Sequence, residues 1–301
     1  MTPPLSLHTL HPVPTPADAG AALPDEVLQV LSRGRRTHTP CGEGRLVWHI
    51  WGEGQARPEL PPLVLLHGGS GSWTHWLRNV GPLAASGRLV LVPDLPGFGD
   101  SDLPPGGADA DVMPAPIEQG LDELVGPTPC DLVGFSFGAM VGGLLAREQP
   151  LRAQRLVLVG PPGLGLPERE KIELKGWRHL PEALQPAAHA HNLRELMLHH
   201  GESITPLACR LQALNAQRDR LPGRRLARTD LLARTLAHVA CPVHLLYGAE
   251  DRFFRGQDEA LAQALAAWPA FGERGVLPGA GHWVQFEQAA AFHATLLDLL
   301  A

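Results

Sequence analysis

Seven short runs of the chain are apolar at nearly every position, and each closes in a glycine-bearing turn. They are RLVWHIWGEG (45–54), PPLVLLHGG (61–69), RLVLVPDLPG (88–97), CDLVGFSFG (130–138), RLVLVG (155–160), PVHLLYGAED (242–251) and ERGVLPGAGH (273–282). A run without polar alternation suits a strand buried on both faces, as in a parallel sheet covered by helices. Helical pattern follows most of these runs, and strand alternating with helix predicts an α/β fold. The helix after Ser136, FGAMVGGLLAREQ, must stop before Pro150.

Residues 164–238 break this rhythm with helical pattern and no strand signal. In ITPLACRLQALNAQR, Thr205 is placed as an N-cap and Pro206 at the first helical position. Leu207, Leu211 and Leu214 then form one apolar stripe. Such an insertion reads as a lid over the sheet. The last helix, EQAAAFHATLLDLLA, is expected to pack the C-terminus back onto the core. Residues 1–40 read as a Pro-rich, weakly structured extension with one short helix in LPDEVLQVLSRGRR. The expected division is therefore an extension at 1–40, a core at 41–163 and 239–301, and the lid at 164–238.

Composition narrows the class. The 301 residues are 44% hydrophobic and 19% charged, with formal net charge −6. That balance argues against nucleic acid or an anionic membrane as partner, and no apolar stretch reaches the roughly 18 residues of a membrane span. The first twenty residues have prolines where a signal peptide needs an apolar helix, and lack a basic start. Cys41, Cys130, Cys209 and Cys241 are scattered without a CxxC pair, which predicts reduced thiols in a cytoplasmic protein. The partner expected is a small-molecule substrate; self-association into a homo-oligomer is left open.

The chemistry centres on Gly134-Phe135-Ser136-Phe137-Gly138, a G-x-S-x-G turn with a strand before it and a helix after it. The glycines permit close strand–helix approach, and the strained turn projects the Ser136 hydroxyl over a helix N-terminus. A serine needs a base. His282, in LPGAGHWVQFE, ends the last strand on the same sheet edge, whereas the glycines after His67 suggest loop shaping. His189 with His191, or His199 with His200, lack the H-E-x-x-H spacing of a metal pair, so no metal is expected. Asp251 is the carboxylate expected to orient His282, with adjacent Glu250 as the alternative, and the order Ser, Asp, His suits this fold. Phe137 N–H and a donor from HGGSGSW, Gly69 ahead of Ser70, would hold an oxyanion. No cofactor is required by this chemistry.

The motifs HGGSGSW, DLPGFGDSD (94–102), GFSFG, GAEDRFF and GHWVQFE together resemble the α/β-hydrolase superfamily. The resemblance covers about 45–163 and 239–301. It implies a mostly parallel sheet flanked by helices, with the helical lid inserted after the sixth strand of that fold. GHWVQFEQ and HGGSGSW are similar to enzymes that hydrolyse a carbon–carbon bond in meta-cleavage products of aromatic catabolism. In those enzymes a lid arginine grips a substrate carboxylate, a role that CRLQALNAQR would give to Arg210. Their elbow usually has asparagine before the serine, where this chain has Phe135. The resulting order of expectation is a hydrophobic carboxylic ester or lactone, then C–C hydrolysis of a dienoate, then a non-catalytic ligand-binding protein of this fold. Phe135, Trp283 and Arg210 are the expected substrate-binding residues.

Overall fold

In the computed structural model of the chain, which describes residues 23–167 and 171–301, the apolar runs build one eight-stranded sheet. The strands are β1 (Arg35–Cys41), β2 (Gly44–Trp51), β3 (Leu63–Leu66), β4 (Val90–Pro93), β5 (Cys130–Phe135), β6 (Ala153–Val159), β7 (Val243–Gly248) and β8 (Phe271–Leu277). Across the sheet they lie in the order β1-β2-β4-β3-β5-β6-β7-β8. β2 is antiparallel to β1 and β4, and every pairing from β4 to β8 is parallel.

Every residue of β3, β4, β5 and β7 is buried, because both faces of the sheet are covered. Along β3, Val64 and Leu66 enter one apolar cluster while Leu63 and Leu65 enter the other, the period of two that a strand imposes. The helices that supply the cover are α1 (Asp25–Leu31), α2 (Val80–Ala85), α3 (Pro114–Val125), α4 (Phe137–Glu148), α5 (Gln185–Asn192), α6 (Pro206–Gln217), α7 (Leu231–Leu236), α8 (Asp258–Ala266), α9 (Val284–Glu287) and α10 (Ala289–Leu299). Ile117 and Leu121 of α3 and Met140 and Leu144 of α4 join the first cluster; Val80 and Leu83 of α2 and Phe292 and Leu296 of α10 join the second. Each such side chain contributes roughly 1.5–3 kcal/mol by leaving water.

One expected boundary is corrected. Residues 35–41 are not a lead-in but an edge strand, registered on β2 from Arg35 opposite Ile50 to Cys41 opposite Gly44. The short helix expected in 23–36 is α1. The Pro-rich start, residues 1–22, lies outside the described residues. Between β6 and β7 the described residues form helices and no strand. There Thr205 Oγ1 accepts from Ala208 N–H, Pro206 opens α6, and Leu211 and Leu214 are buried. Among the described residues, no helix is long and apolar enough to cross a membrane. All four cysteines are unpaired.

Candidate active site

The parallel strands end at one edge, and the candidate residues sit just beyond those ends. Ser136 follows β5 with φ 50° and ψ −117°, a conformation an L-residue rarely adopts. Its N–H donates to Val159 O at 2.8 Å. A Cβ on Gly134 would strike the Gly138 carbonyl and Ala139 backbone, and one on Gly138 would strike the Leu66 and His67 carbonyls. Both glycines are therefore required by close approach.

His282 Nδ1 and Asp251 Oδ2 are 2.7 Å apart, and both side chains are buried. A carboxylate oxygen at that distance accepts a hydrogen bond from Nδ1–H, which leaves Nε2 as the basic nitrogen. Phe253 N–H donates to the other oxygen, Oδ1, at 3.0 Å and fixes the carboxylate plane. Glu250 is turned elsewhere, with Oε2 3.8 Å from Arg255 Nη1. Gly160, next after the carbonyl that accepts from Ser136, has φ +53°; a Cβ there would lie 3.0 Å from His282 Nδ1 and 3.1 Å from Asp251 Oδ2. Adjacent residues at the end of β6, Val159 and Gly160, thus meet the serine and the histidine–aspartate pair. Ser136 and His282 line the same cavity, of about 940 Å³, with no hydrogen bond between their side chains. Such contacts commonly tighten when substrate binds.

The HGGSGSW loop is held by a buried histidine pair. Leu95 N–H donates to His67 Nε2 at 2.8 Å, so the His67 proton is on Nδ1, which donates to Gly68 O at 2.8 Å. Gly68 N–H donates to His75 Nδ1 at 3.2 Å. Burial pushes His67 down to about 4. Burial also holds His75 well below the usual histidine range, with His67 and His282 adding to the effect. Asp94, the first residue of DLPGFGDSD, accepts from Trp73 N–H at 2.8 Å and Asp100 N–H at 2.9 Å, tying that loop to HGGSGSW. Burial alone would raise the Asp94 carboxyl; His49, whose Nε2 lies 3.6 Å from Oδ2, with His67 and the Asp100 amide, holds it below the usual range. Phe137 N–H is the first amide of α4 and has no helical turn before it to accept it. Gly69 faces it: Phe137 Cβ is 3.6 Å from where a Gly69 Cβ would stand.

The expected substrate-binding residues divide. Phe135 lines the cavity, its ring 5.0 Å from the His282 ring. Trp283 does not: it is fully buried behind His282, stacked on Phe286 at 4.1 Å, with Nε1–H donating to the His75 carbonyl. An indole whose N–H and faces are satisfied by the core has nothing left for a ligand. Arg210 on α6 is also absent from the cavity wall. Lys171, Arg224, Arg228 and Arg252 are present instead, and among the described residues Arg224 is the one set against Gly69 and Phe137. Its Nη1 and Nη2 each lie 2.8 Å from an Asp219 oxygen. Among the described residues no three His, Cys, Asp or Glu side chains group as metal ligands.

A serine at a strained strand–helix turn and a buried imidazole–carboxylate pair, both at one edge of a parallel sheet, define the hydrolase class of α/β protein. The chain belongs to the alpha/beta hydrolase family, whose profile matches residues 63–295. It is 34% identical over 261 residues, 80% of this chain and 87% of the relative, to a 2-hydroxymuconate semialdehyde hydrolase of Pseudomonas sp. (strain CF600). It is 29% identical to a 2-hydroxy-6-oxo-6-phenylhexa-2,4-dienoate hydrolase of Burkholderia cepacia, over 83% of this chain and 89% of that one. A solved meta-cleavage product hydrolase from Pseudomonas fluorescens IP01 shares the fold, with TM-score 0.67, 20% identity, and coverage of 87% and 96%. The chain is an enzyme, a hydrolase, which removes the non-catalytic alternative.

Proposed function

We propose that this hydrolase cleaves a carbon–carbon bond in an acidic dienoate derived from an aromatic ring, through an acyl-enzyme on Ser136. The observation that carries the reading is the likeness, over about four-fifths of the chain, to relatives named for that chemistry. Arg224 adds to it, because a guanidinium on the cavity wall next to Gly69 and Phe137 suits an anionic substrate. The segment between β6 and β7 acts as the lid, and its loop after α6 carries Arg224 to the cavity wall.

His282 Nε2 takes the proton of Ser136 as its oxygen adds to the substrate ketone, and Asp251 stabilises the imidazolium. Phe137 and Gly69 N–H groups receive the oxyanion. A carbon leaving group departs only if its electron pair is stabilised, so the dienol must first become the ketone. Collapse of the adduct then breaks the bond next to the carbonyl and sends the pair into a conjugated enolate. His282 returns the proton to carbon, and water, activated by the same imidazole, releases the acid from Ser136.

This order reverses the one drawn from the sequence, where Phe135 placed ester or lactone hydrolysis first. Phe135 still favours that second reading, since its ring cannot hydrogen-bond an enol or keto oxygen. The test is kcat/KM on 2-hydroxy-6-oxo-6-phenylhexa-2,4-dienoate beside p-nitrophenyl butyrate. The C–C reading expects the dienoate to lead by about a hundredfold or more; a lead for the ester supports the second reading.

A further inference from the structure

Two residues other than glycine have positive φ among the described residues, Ser136 and Ser70. The elbow accounts for the first. Ser70, with φ 48°, follows Gly69 directly on the oxyanion loop, where a glycine would adopt the same backbone without strain. What Ser70 has and glycine lacks is a hydroxyl, and that hydroxyl donates to Asp219 Oδ2 at 2.5 Å.

Asp219 arrives from the insertion, two residues after α6 and 149 residues away in sequence. Its carboxylate also takes Arg224 through both terminal nitrogens and the Leu221 N–H at 3.0 Å. Burial raises the Asp219 carboxyl, but the Arg224 and Ser70 hydrogen bonds outweigh that and hold it below the usual range. Arg224 in turn covers the rings of Phe98 and Phe137, at 4.7 and 5.3 Å from their centroids. Its Nη2 lies on the open face of Gly69, 3.5 Å from where a Cβ would stand. One carboxylate therefore braces the oxyanion loop from two sides, at Ser70 directly and at Gly69 through Arg224.

We propose that Asp219 is a positioning residue for the oxyanion loop: its bond to the Ser70 hydroxyl holds residue 70 in the left-handed region and so aims the Gly69–Ser70 amides at the substrate oxygen. The proposal rests on the serine-hydrolase reading above. It means that the oxyanion donors are fully set only while the stretch after α6 is docked on the loop, so seating of the insertion and activation of the site are one event.

The test measures the second-order rate at which a fluorophosphonate labels Ser136 in the full chain. The probe forms a P–O bond to the serine and expels fluoride, and its phosphoryl oxygen uses the same donors. Asp219→Ala and Ser70→Ala are each expected to slow labelling about tenfold, since small misplacements of such donors are costly. Adding Ser70→Gly to Asp219→Ala is expected to restore the rate to within about threefold of wild type, because glycine holds positive φ unaided. Thermal midpoints are taken alongside. Asp219→Ala labelling at the wild-type rate with only a lowered midpoint, or a loss that Ser70→Gly leaves untouched, overturns the proposal. A wild-type chain that takes no label at Ser136 sinks the serine reading and this inference with it.

Discussion

His282 Nδ1 meets Asp251 Oδ2 at 2.7 Å, although the two residues are 31 positions apart and lie beyond the ends of different strands. The pair fixes the imidazole tautomer, so its loss acts on the chemical step. Asp251→Asn is expected to lower kcat by about 10³–10⁴ with little change in KM. Glu250→Gln, which touches a carboxylate aimed at Arg255, is expected to stay within about threefold of wild type. Steady-state kinetics on one substrate checks both.

Ser136 holds a backbone conformation, φ 50°, that an L-residue rarely adopts, and the serine-hydrolase reading assigns its purpose to the hydroxyl. Ser136→Gly is expected to abolish turnover and raise the unfolding free energy by about 1 kcal/mol, since glycine removes the Cβ penalty. Ser136→Ala keeps the Cβ, and is expected to be equally inactive without the gain. Urea denaturation of the two variants beside wild type reads the difference.

Arg224, rather than Arg210, stands on the cavity wall. Arg224→Ala is expected to raise KM for an acidic dienoate by about tenfold to a hundredfold, the range for a hydrogen-bonded charge, and to change KM for a neutral ester far less. Arg210→Ala is expected to leave both values within about threefold. The ratio of the two KM changes is the readout.

Much of this arrangement is legible in the chain. Ser136, Asp251 and His282 each follow a run of buried aliphatic residues, and a parallel sheet brings the carboxyl ends of its strands to one edge. β1 is not legible by hydropathy, because its inward positions are Thr37, Thr39 and Cys41 while Arg36, His38 and Pro40 alternate with them. The period of two is there, written in small polar residues, as an edge strand allows. Arg224 escapes notice for a related reason. RDRLPGRRLAR falls within the stretch read as helical pattern, and only its return over Phe98 and Phe137 sets one of its arginines apart. Trp283 misleads in the other direction: it adjoins His282 in sequence, but its side chain faces the core behind it.

Acidification is expected to destabilise the fold through His67. Its folded value, about 4, lies below the ordinary histidine value of 6.5. Above pH 6.5 both folded and unfolded chains hold it neutral, so it adds no pH dependence. Between 6.5 and about 4 only the unfolded chain takes up the proton, and stability falls by about 1.4 kcal/mol per pH unit for each such group. His75 acts in the same direction. Urea midpoints at pH 7, 5.5 and 4.5 should fall in that order, and His67→Gln should flatten the slope by close to one proton.

Whether Ser136 forms the covalent intermediate is decided by peptide mass mapping after fluorophosphonate treatment. A single phosphonyl adduct is expected on the peptide carrying Ser136, absent from Ser136→Ala and greatly slowed in a His282→Ala variant. A folded protein that remains unmodified at Ser136, or that takes the adduct on another residue at the same rate in Ser136→Ala, would contradict it.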